Sequence, residues 1–314
     1  MTSAAITAFE AILAIMLAPL LIGWIDVCRA WLQNRRGAGV LQPYRTIRKL
    51  LHKDAVIAHD ASPLFRLSPY VQFGAMAMAA AIIPVFSVSG PLSIAADTIA
   101  LVGVFALARV FMALAAMDIG TAFGTLGARR EMLIGFLAEP ALLMVFLTAS
   151  LISQSTLLPT IVEVLGQIHL TIFPSLAFAA VAFVMVLLAE NARIPIDNPA
   201  THLELTMIHE AMVLEYSARH LALIEWASAL KLFNYAAIGI ALFVPWGLAG
   251  REAGVLELAL ALPIAGLKLA LAGAALATVE TLSAKLRIFR APEFLATAFL
   301  LAVLGLLVRL LLGS

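Results

Sequence analysis

The chain has 314 residues, of which 63% are hydrophobic and 12% are charged, and its mean hydropathy is +1.04. A soluble protein of this length could not bury so much apolar surface, so the composition excludes that class and predicts an all-α, polytopic membrane protein. The net charge of +1 provides no strong basic field for nucleic acid, and the single cysteine, Cys28, excludes an intrachain disulfide.

Eight apolar runs are each long enough, at about 20 residues, to cross a bilayer as a helix. They lie near residues 4–25, 68–90, 97–117, 137–157, 170–190, 229–248, 254–279 and 292–312. There is no stretch that would form a soluble domain, and no internal repeat of the kind that builds transporters from two halves. We therefore predict a single membrane domain over residues 1–314.

The basic residues fix the predicted orientation of these spans. The loops that follow odd-numbered spans carry 15 Lys and Arg residues, whereas the loops that follow even-numbered spans carry one. By the positive-inside rule the odd loops are cytoplasmic. We therefore predict a multi-pass protein of the inner (cytoplasmic) membrane with both termini on its outer side. The predicted cytoplasmic loops are residues 26–67, 118–136, 191–228 and 280–291.

The first of these loops contains a basic turn followed by an amphipathic run. The turn contains Arg35 and Arg36, and the run follows Pro43. Its apolar face carries Tyr44, Ile47, Leu50 and Leu51, and its basic residues are Arg45, Arg48, Lys49 and Lys53. Two interpretations follow: an interfacial helix that binds anionic headgroups, or a docking surface for a peripheral subunit.

Acids and histidines concentrate between residues 189 and 217, directly after an apolar run. Charges beside a membrane are costly, so this concentration indicates a function, although a solvated loop is the simpler alternative. Asn198 can cap a helix that has Pro199 at its first position, and we expect this helix to run to about Tyr216.

Two pairs of residues would share faces of that predicted helix. Glu204 and Glu215 are 11 residues apart, about three turns, and His202 and His209 are seven apart. A metal site built from the two histidines and a glutamate is possible on spacing, but we predict none.

Charged residues also stand at the entrances of two spans. Glu139 precedes Pro140 at the start of the fourth span, where it either stabilises the helix dipole or belongs to a buried proton path. Glu225 and Lys231, at the entrance to the sixth span, could form a salt bridge or take part in proton transfer.

Two stretches are similar to segments of a known family. NRRGAGVLQP, residues 34–43, is similar to that family's Arg-x-Gly-Pro…Gln-Pro segment, with Ala38 in place of proline. ARREMLIGFLAEP, residues 128–140, is similar to its Arg…Glu segment that enters the fourth span. The sequence thus resembles the membrane subunit that joins the peripheral and membrane arms of respiratory complex I. It looks closer still to the counterpart in formate hydrogenlyase and the hydrogenase-4 type of membrane-bound [NiFe] hydrogenase, and the match covers almost the whole chain.

The fifth loop carries the most specific agreement, with the Ala-Glu-x-x-Arg-x-Pro-Phe-Asp-Leu-Pro-Glu-x-Glu-x-Glu-Leu pattern of quinone-linked members. The matching positions are Ala189, Glu190, Arg193, Pro195, Asp197, Pro199, Glu204 and Leu205. Two further glutamates of the pattern are replaced by Ala200 and His202, and its phenylalanine by Ile196. The tail that follows looks like the hydrogenase branch. This argues against a quinone site and suggests that electrons go to protons at a nickel–iron site in a partner subunit.

The resemblance implies an eight-span, non-catalytic subunit of a hydrogenase complex, with no cofactor of its own. Its implied partners are the hydrogenase large and small subunits, a ferredoxin-like iron–sulfur subunit and antiporter-like membrane subunits, besides the lipid bilayer. The [NiFe] centre and iron–sulfur clusters are expected in those partners. The chain would transmit energy as proton movement along buried acids, since clustered carboxylates in a low dielectric cannot all ionise and their proton affinities become coupled.

The implied proton-path candidates are Glu139, Glu190, Asp197, Glu204, Glu210, Glu215, Glu225 and Lys231. The implied docking candidates are Arg35, Arg36, Arg45, Arg48, Arg129, Arg130 and Arg193. Three other functions stay open. The first is a quinone-site subunit of a complex I-like enzyme, which would have a cavity lined for quinone. The second is an ion transporter, which the absent repeat disfavours. The third is a passive anchor, which would use its acids only for salt bridges with partners.

Overall fold

The structure is a computed structural model that describes residues 3–88, 97–167, 174–194, 208–250, 253–284 and 290–312. These residues form eleven helices, and the all-α prediction is confirmed. The helices are α1 (Ser3–Leu32), α2 (Gln42–Leu51), α3 (Pro63–Ile82), α4 (Thr98–Asp118), α5 (Ala122–Ser153), α6 (Leu158–Gln167), α7 (Pro174–Glu190), α8 (His209–Val213), α9 (Ala218–Phe243), α10 (Val255–Leu282) and α11 (Ala291–Leu312).

Each of the eight predicted spans coincides with a helix. Six of the helices in the described ranges are long and apolar enough to cross a membrane, namely α1, α4, α5, α9, α10 and α11. The other two predicted spans fall on α3, with 20 residues, and on α7, an apolar helix of 17 residues. A multi-pass membrane protein follows from these helices.

Contacts between the connecting segments define two ends of the bundle. At the end that carries the basic loops, here called the basic end, Ser62 N–H donates to Asp118 Oδ2 over 2.9 Å. At the other end, here called the opposite end, the buried Glu10 carboxylate accepts from the backbone N–H groups of Phe86 and Ser87. Ser87 also forms a β-bridge with Ala249, which ties the connections after α3 and α9 together.

Two predicted loops are shorter than expected because helices extend into them. α5 begins at Ala122, where the Thr121 hydroxyl accepts from Gly124 N–H and caps the first turn. Its 32 residues span about 48 Å, more than the roughly 30 Å hydrocarbon core, so α5 projects beyond the bilayer and occupies most of the predicted 118–136 loop. α9 likewise begins at Ala218, inside the predicted 191–228 loop.

The prediction of a helix that continues to about Tyr216 is wrong for residues 208–216, the part of it that the structure describes. Only His209–Val213 is helical, and Ile208 has non-helical angles (φ −120°, ψ −76°). The chain leaves the helix to bury Tyr216, whose ring stacks on Phe65 at 3.9 Å and whose hydroxyl donates to the Phe65 carbonyl over 3.0 Å. Burial raises the pKa of Tyr216, so this hydroxyl stays protonated. Glu215 is therefore not on that helix.

Candidate functional site

The buried guanidinium of Arg109, on α4, meets three carboxylates from two other helices. Its Nη1 donates to Glu139 Oε1 on α5 over 2.8 Å. Its Nη2 donates to Glu190 Oε1 at the end of α7, and its Nε lies 3.5 Å from Glu131 Oε1 on α5. Only 5% of the Arg109 side chain is exposed, so these carboxylates replace the water that the cation loses on burial.

Two further side chains complete what we call the ion network. Lys231 Nζ, on α9, lies 2.9 Å from Glu190 Oε2. His209 Nε2, on α8, lies 3.3 Å from Glu131 Oε2. The ion network therefore consists of Arg109, Glu131, Glu139, Glu190, His209 and Lys231. It joins five helices, and its three carboxylates face two permanent cations and one histidine.

Four members of the ion network lie inside the membrane-spanning bundle, whereas Glu131 lies in the part of α5 that projects beyond it. Arg109, Glu139, Glu190 and Lys231 stand 11, 14, 16 and 12 residues from the ends of their helices at the opposite end. At about 1.5 Å per residue these separations are roughly 16–24 Å. Against a hydrocarbon core about 30 Å thick, Arg109, Glu139 and Lys231 lie well within it, and Glu190 lies nearer its boundary at the basic end. Buried charges within membrane spans are costly and indicate a candidate functional site.

The absence of a side chain at Gly135 makes room for Arg109. This glycine lies one turn after Glu131 and one turn before Glu139, on the same face of α5. A Cβ added there would lie 2.0 Å from Arg109 Nη1. Since three carboxylates hold the guanidinium, it cannot move aside without breaking an ion pair.

We expect Gly135→Ala to displace Arg109 and to destabilise the chain by on the order of 3 kcal/mol, the cost of disrupting a buried ion pair. The thermal stability of the purified full chain in detergent measures this effect. Gly103→Ala is the matched control, because it lies on the Arg109 helix with no atom within 4 Å of the added Cβ. An unchanged Gly135→Ala would show that the guanidinium is not confined.

A second ionic cluster, here called the Glu280 cluster, lies towards the basic end. Glu280 on α10 is 3% exposed, and its Oε1 accepts from Arg193 Nη1 over 3.2 Å. Its Oε2 lies 3.6 Å from Arg29 Nη1 on α1, and Arg29 Nη2 donates to Asp26 over 2.8 Å. The Glu280 cluster thus consists of Asp26, Arg29, Arg193 and Glu280. Arg193, a predicted docking residue, turns inward to Glu280.

A cavity of about 530 Å³ connects the two clusters. Its charged lining comprises Asp26, Arg29, Arg109, Glu131, Glu190, Arg193, His209, Glu210, Glu225, Lys231 and Glu280. Apolar walls come from several helices, among them Met76, Phe105 and Ile224. Gln72, which is 9% exposed, also lines the cavity, and its Nε2 donates to none of the described residues. The cavity can hold water or a ligand beside the ion network.

The other predicted site residues fall into three groups. Glu210 and Glu225 line the cavity. Glu215 is exposed and is not among the described lining residues. Asp197 and Glu204 lie outside the described residues, as does His202. The possible Glu225–Lys231 salt bridge is not formed, because Lys231 pairs instead with Glu190, which reaches it from α7.

Most of the predicted docking arginines have exposed side chains at the basic end. The exposed ones are Arg35, Arg36, Arg45, Arg48 and Arg129, and Arg130 is half-buried. That they dock a partner subunit stays a prediction.

Sequence reasoning missed Arg109, Glu131 and Glu280 as site residues. Arg109 carried a usable signal, since an arginine in the middle of an apolar span needs buried partners. Glu131 and Glu280 were assigned to loops, although each lies within a helix. For Glu131, the helical spacing to Glu139 on α5 was therefore overlooked.

Comparison with known proteins supports the resemblance in the motifs. Residues 4–311 match the family model described as NADH dehydrogenase. Formate hydrogenlyase subunit 4 of Escherichia coli (strain K12) is 35% identical over 297 residues, which cover 94% of this chain and 95% of the relative. Hydrogenase-4 component C of the same organism is 35% identical over 239 residues, covering 76% and 74%.

A solved structure shares the fold over nearly the whole chain. It is a chain of the membrane-bound sulfane sulfur reductase, described as an archaeal respiratory membrane complex, and it superposes with a TM-score of 0.82 at 20% identity. The superposition covers 96% of this chain and 97% of the other. The predicted resemblance is confirmed by these matches together. The chain belongs to the NADH dehydrogenase family, in the branch of membrane subunits that includes formate hydrogenlyase subunit 4 and hydrogenase-4 component C.

Proposed function

We propose that the chain is the membrane subunit that couples electron transfer in a peripheral [NiFe] hydrogenase arm to proton translocation. Its relatives are subunits of hydrogenase and respiratory complexes, which supports membership of such a complex. One observation carries the coupling role: a charged network within the bundle borders a cavity that extends to the Glu280 cluster, towards the basic end.

The composition of the ion network suits proton exchange. With all three carboxylates ionised and His209 neutral, two cations leave one negative charge uncompensated in a low dielectric. One bound proton removes this imbalance, and the coupled groups share it. A charge that arrives or leaves near the cavity therefore changes how strongly the network holds its proton.

Glu139 is the proposed point at which the proton leaves the network. One third of its side chain is exposed, against 1% for Glu190 and 4% for Glu131. Unlike those two acids, it is not among the described residues that line the cavity. A proton that enters through the cavity and reaches Glu139 is thus presented at the outer surface of α5, where an antiporter-like membrane subunit would accept it.

The proposed orientation places the basic end in the cytoplasm and both termini outside the inner membrane. The bias of Lys and Arg towards the loops of one end supports it. The peripheral arm would dock at the basic end, near the Glu280 cluster, with exposed cations such as Arg129 available to acidic partner surfaces. The [NiFe] centre and the iron–sulfur clusters would belong to the docked subunits.

We expect the tagged full chain, isolated from its native membrane, to retain a hydrogenase large subunit, its small subunit, a ferredoxin-like subunit and antiporter-like membrane subunits. Mass spectrometry of the purified complex identifies them. Isolation of the chain with NADH-oxidising subunits and no hydrogenase would contradict the proposal, and so would ion conduction by the chain reconstituted without partners.

The cavity favours one alternative, a quinone site. Its volume of about 530 Å³, its apolar walls and the Gln72 amide suit a lipophilic ligand with carbonyl acceptors. The ion pairs of Arg109, Glu131, Glu190 and Lys231 line one part of the cavity and make that part unfavourable for a lipophilic ligand. A quinone-reduction assay on the same purified complex separates the two functions. If the chain forms a quinone site, the complex should reduce quinone with hydrogen or NADH, and Gln72→Leu should lower that rate.

A further inference from the structure

Helix α2 presents a basic face that no described residue neutralises. It buries Ile47 and half-buries Tyr44 against its neighbours α1 and α9. The side chains of Arg45, Arg48 and Lys49 lie at helical spacings of three and four residues on the other side, and all are exposed. The helix is thus attached to the bundle by its apolar side and leaves its cations accessible.

The charges around α2 are strongly one-sided. Residues 33–56 contain a single acid, Asp54, against Arg35, Arg36, Arg45, Arg48, Lys49 and Lys53. None of these six cations forms an ion pair with a residue that the structure describes. The surface therefore suits a ligand that carries several negative charges.

The position of α2 relative to α1 places this surface at the edge of the bilayer. The segment after α1 folds back along it so closely that a Cβ on Gly23 would lie 1.9 Å from the Val40 carbonyl oxygen. Gly23 stands nine residues before the end of α1 at Leu32, so the chain returns by about 13 Å before α2 begins. α2 therefore begins beside α1 at the level of Gly23, about 30 Å along that helix from Ser3, which matches the thickness of the hydrocarbon core.

Apolar side chains next to the cations are left uncovered. Leu41 is 55% exposed, Leu51 is 47% exposed and Val56 is 76% exposed. Cations beside uncovered apolar groups, on a short helix at the end of a span, fit the boundary between headgroups and acyl chains. A peripheral protein would satisfy the cations but would have to reach into this boundary to cover the apolar groups.

We propose that α2 is a binding site for anionic phospholipid headgroups, with Arg45, Arg48 and Lys49 contacting the phosphates and Leu51 entering the acyl region. This inference is independent of the proposed coupling function. It selects the lipid interpretation of the amphipathic run over the docking of a partner subunit at α2, while leaving Arg129 and Arg130 to the docking surface.

Quenching by brominated lipids tests the site. The full chain with Leu51→Trp is reconstituted in vesicles that contain equal fractions of brominated phosphatidylglycerol or of brominated phosphatidylcholine, and the parent chain supplies the background. We expect the added indole to show a preference for the brominated phosphatidylglycerol of roughly fivefold or more, lost at high salt. When Arg45→Gln, Arg48→Gln and Lys49→Gln are added together to the Leu51→Trp chain, the ratio of quenching by the two brominated lipids should fall close to one.

The control for this experiment is Arg129→Gln, which removes an exposed arginine from the basic end but outside α2, and should keep the preference. Equal quenching by both lipids in the reporter would overturn the proposal. So would a triple variant that keeps its lipid preference but releases peripheral subunits from the purified complex, since that result assigns the basic face to a protein partner.

Discussion

Replacing Arg109 with glutamine should leave the chain unable to assemble stably in the membrane at neutral pH. The substitution removes the cation shared by Glu131, Glu139 and Glu190, two of which are almost fully buried. Breaking a single buried ion pair costs about 3–5 kcal/mol, and here three acids lose their partner together. Arg109→Lys should recover only part of this loss, because a lysine ammonium cannot reproduce the planar guanidinium fork that holds three carboxylates.

The yield and thermal stability of the purified full chain measure this prediction. Arg66→Gln is the matched control, since Arg66 is exposed at the basic end and its loss should change stability by no more than about 0.5 kcal/mol. The double variant Arg109→Gln/Glu190→Gln should be more stable than Arg109→Gln alone, because it removes one of the uncompensated charges. An Arg109→Gln chain as stable as the parent would show that the ion network is not a structural unit.

The spans could be predicted from sequence because each is a nearly uninterrupted apolar run of about 20 residues. The length of such a run can be read without knowing which helices pack beside it. Residues 122–136 show the limit of that reasoning. They contain Arg129, Arg130 and Glu131 and were assigned to a loop, yet they form the first half of α5. A helix longer than the bilayer can carry charged residues outside it, so polarity alone does not mark its first residue.

The candidate site was partly predictable for a similar reason. Glu139, Glu190 and Lys231 were predicted because acids and lysines near apolar spans are costly, and the structure brings them into one network. The hub Arg109 was not recognised. Its role depends on α5 and α7 packing beside α4, and no local pattern in the sequence reports which helices become neighbours.

The relay function and the anchor function make different predictions for Glu139. In Glu139→Gln the amide oxygen can still accept from Arg109 Nη1, but the side chain can no longer take up or release a proton. If the carboxylate only holds the structure together, this variant should be mild or should release the peripheral arm. If it passes protons to a neighbouring subunit, the complex should assemble normally and proton translocation should fall.

We expect the second result, with a fall of at least about tenfold, which corresponds to roughly 1.4 kcal/mol on the limiting barrier. Glu215→Gln is the matched control. It makes the same chemical change at an exposed acid that lies outside both the ion network and the described cavity lining, so it should leave translocation close to that of the parent.

The most direct test of proton coupling is the number of protons moved per hydrogen turned over, measured in inverted membrane vesicles that contain the assembled complex. For Glu139→Gln, we predict that hydrogen oxidation with an artificial dye stays at the level of the parent complex while proton movement is largely lost. Glu139→Gln vesicles that retain both activities at the parent ratio would contradict the relay function and leave the chain as an anchor.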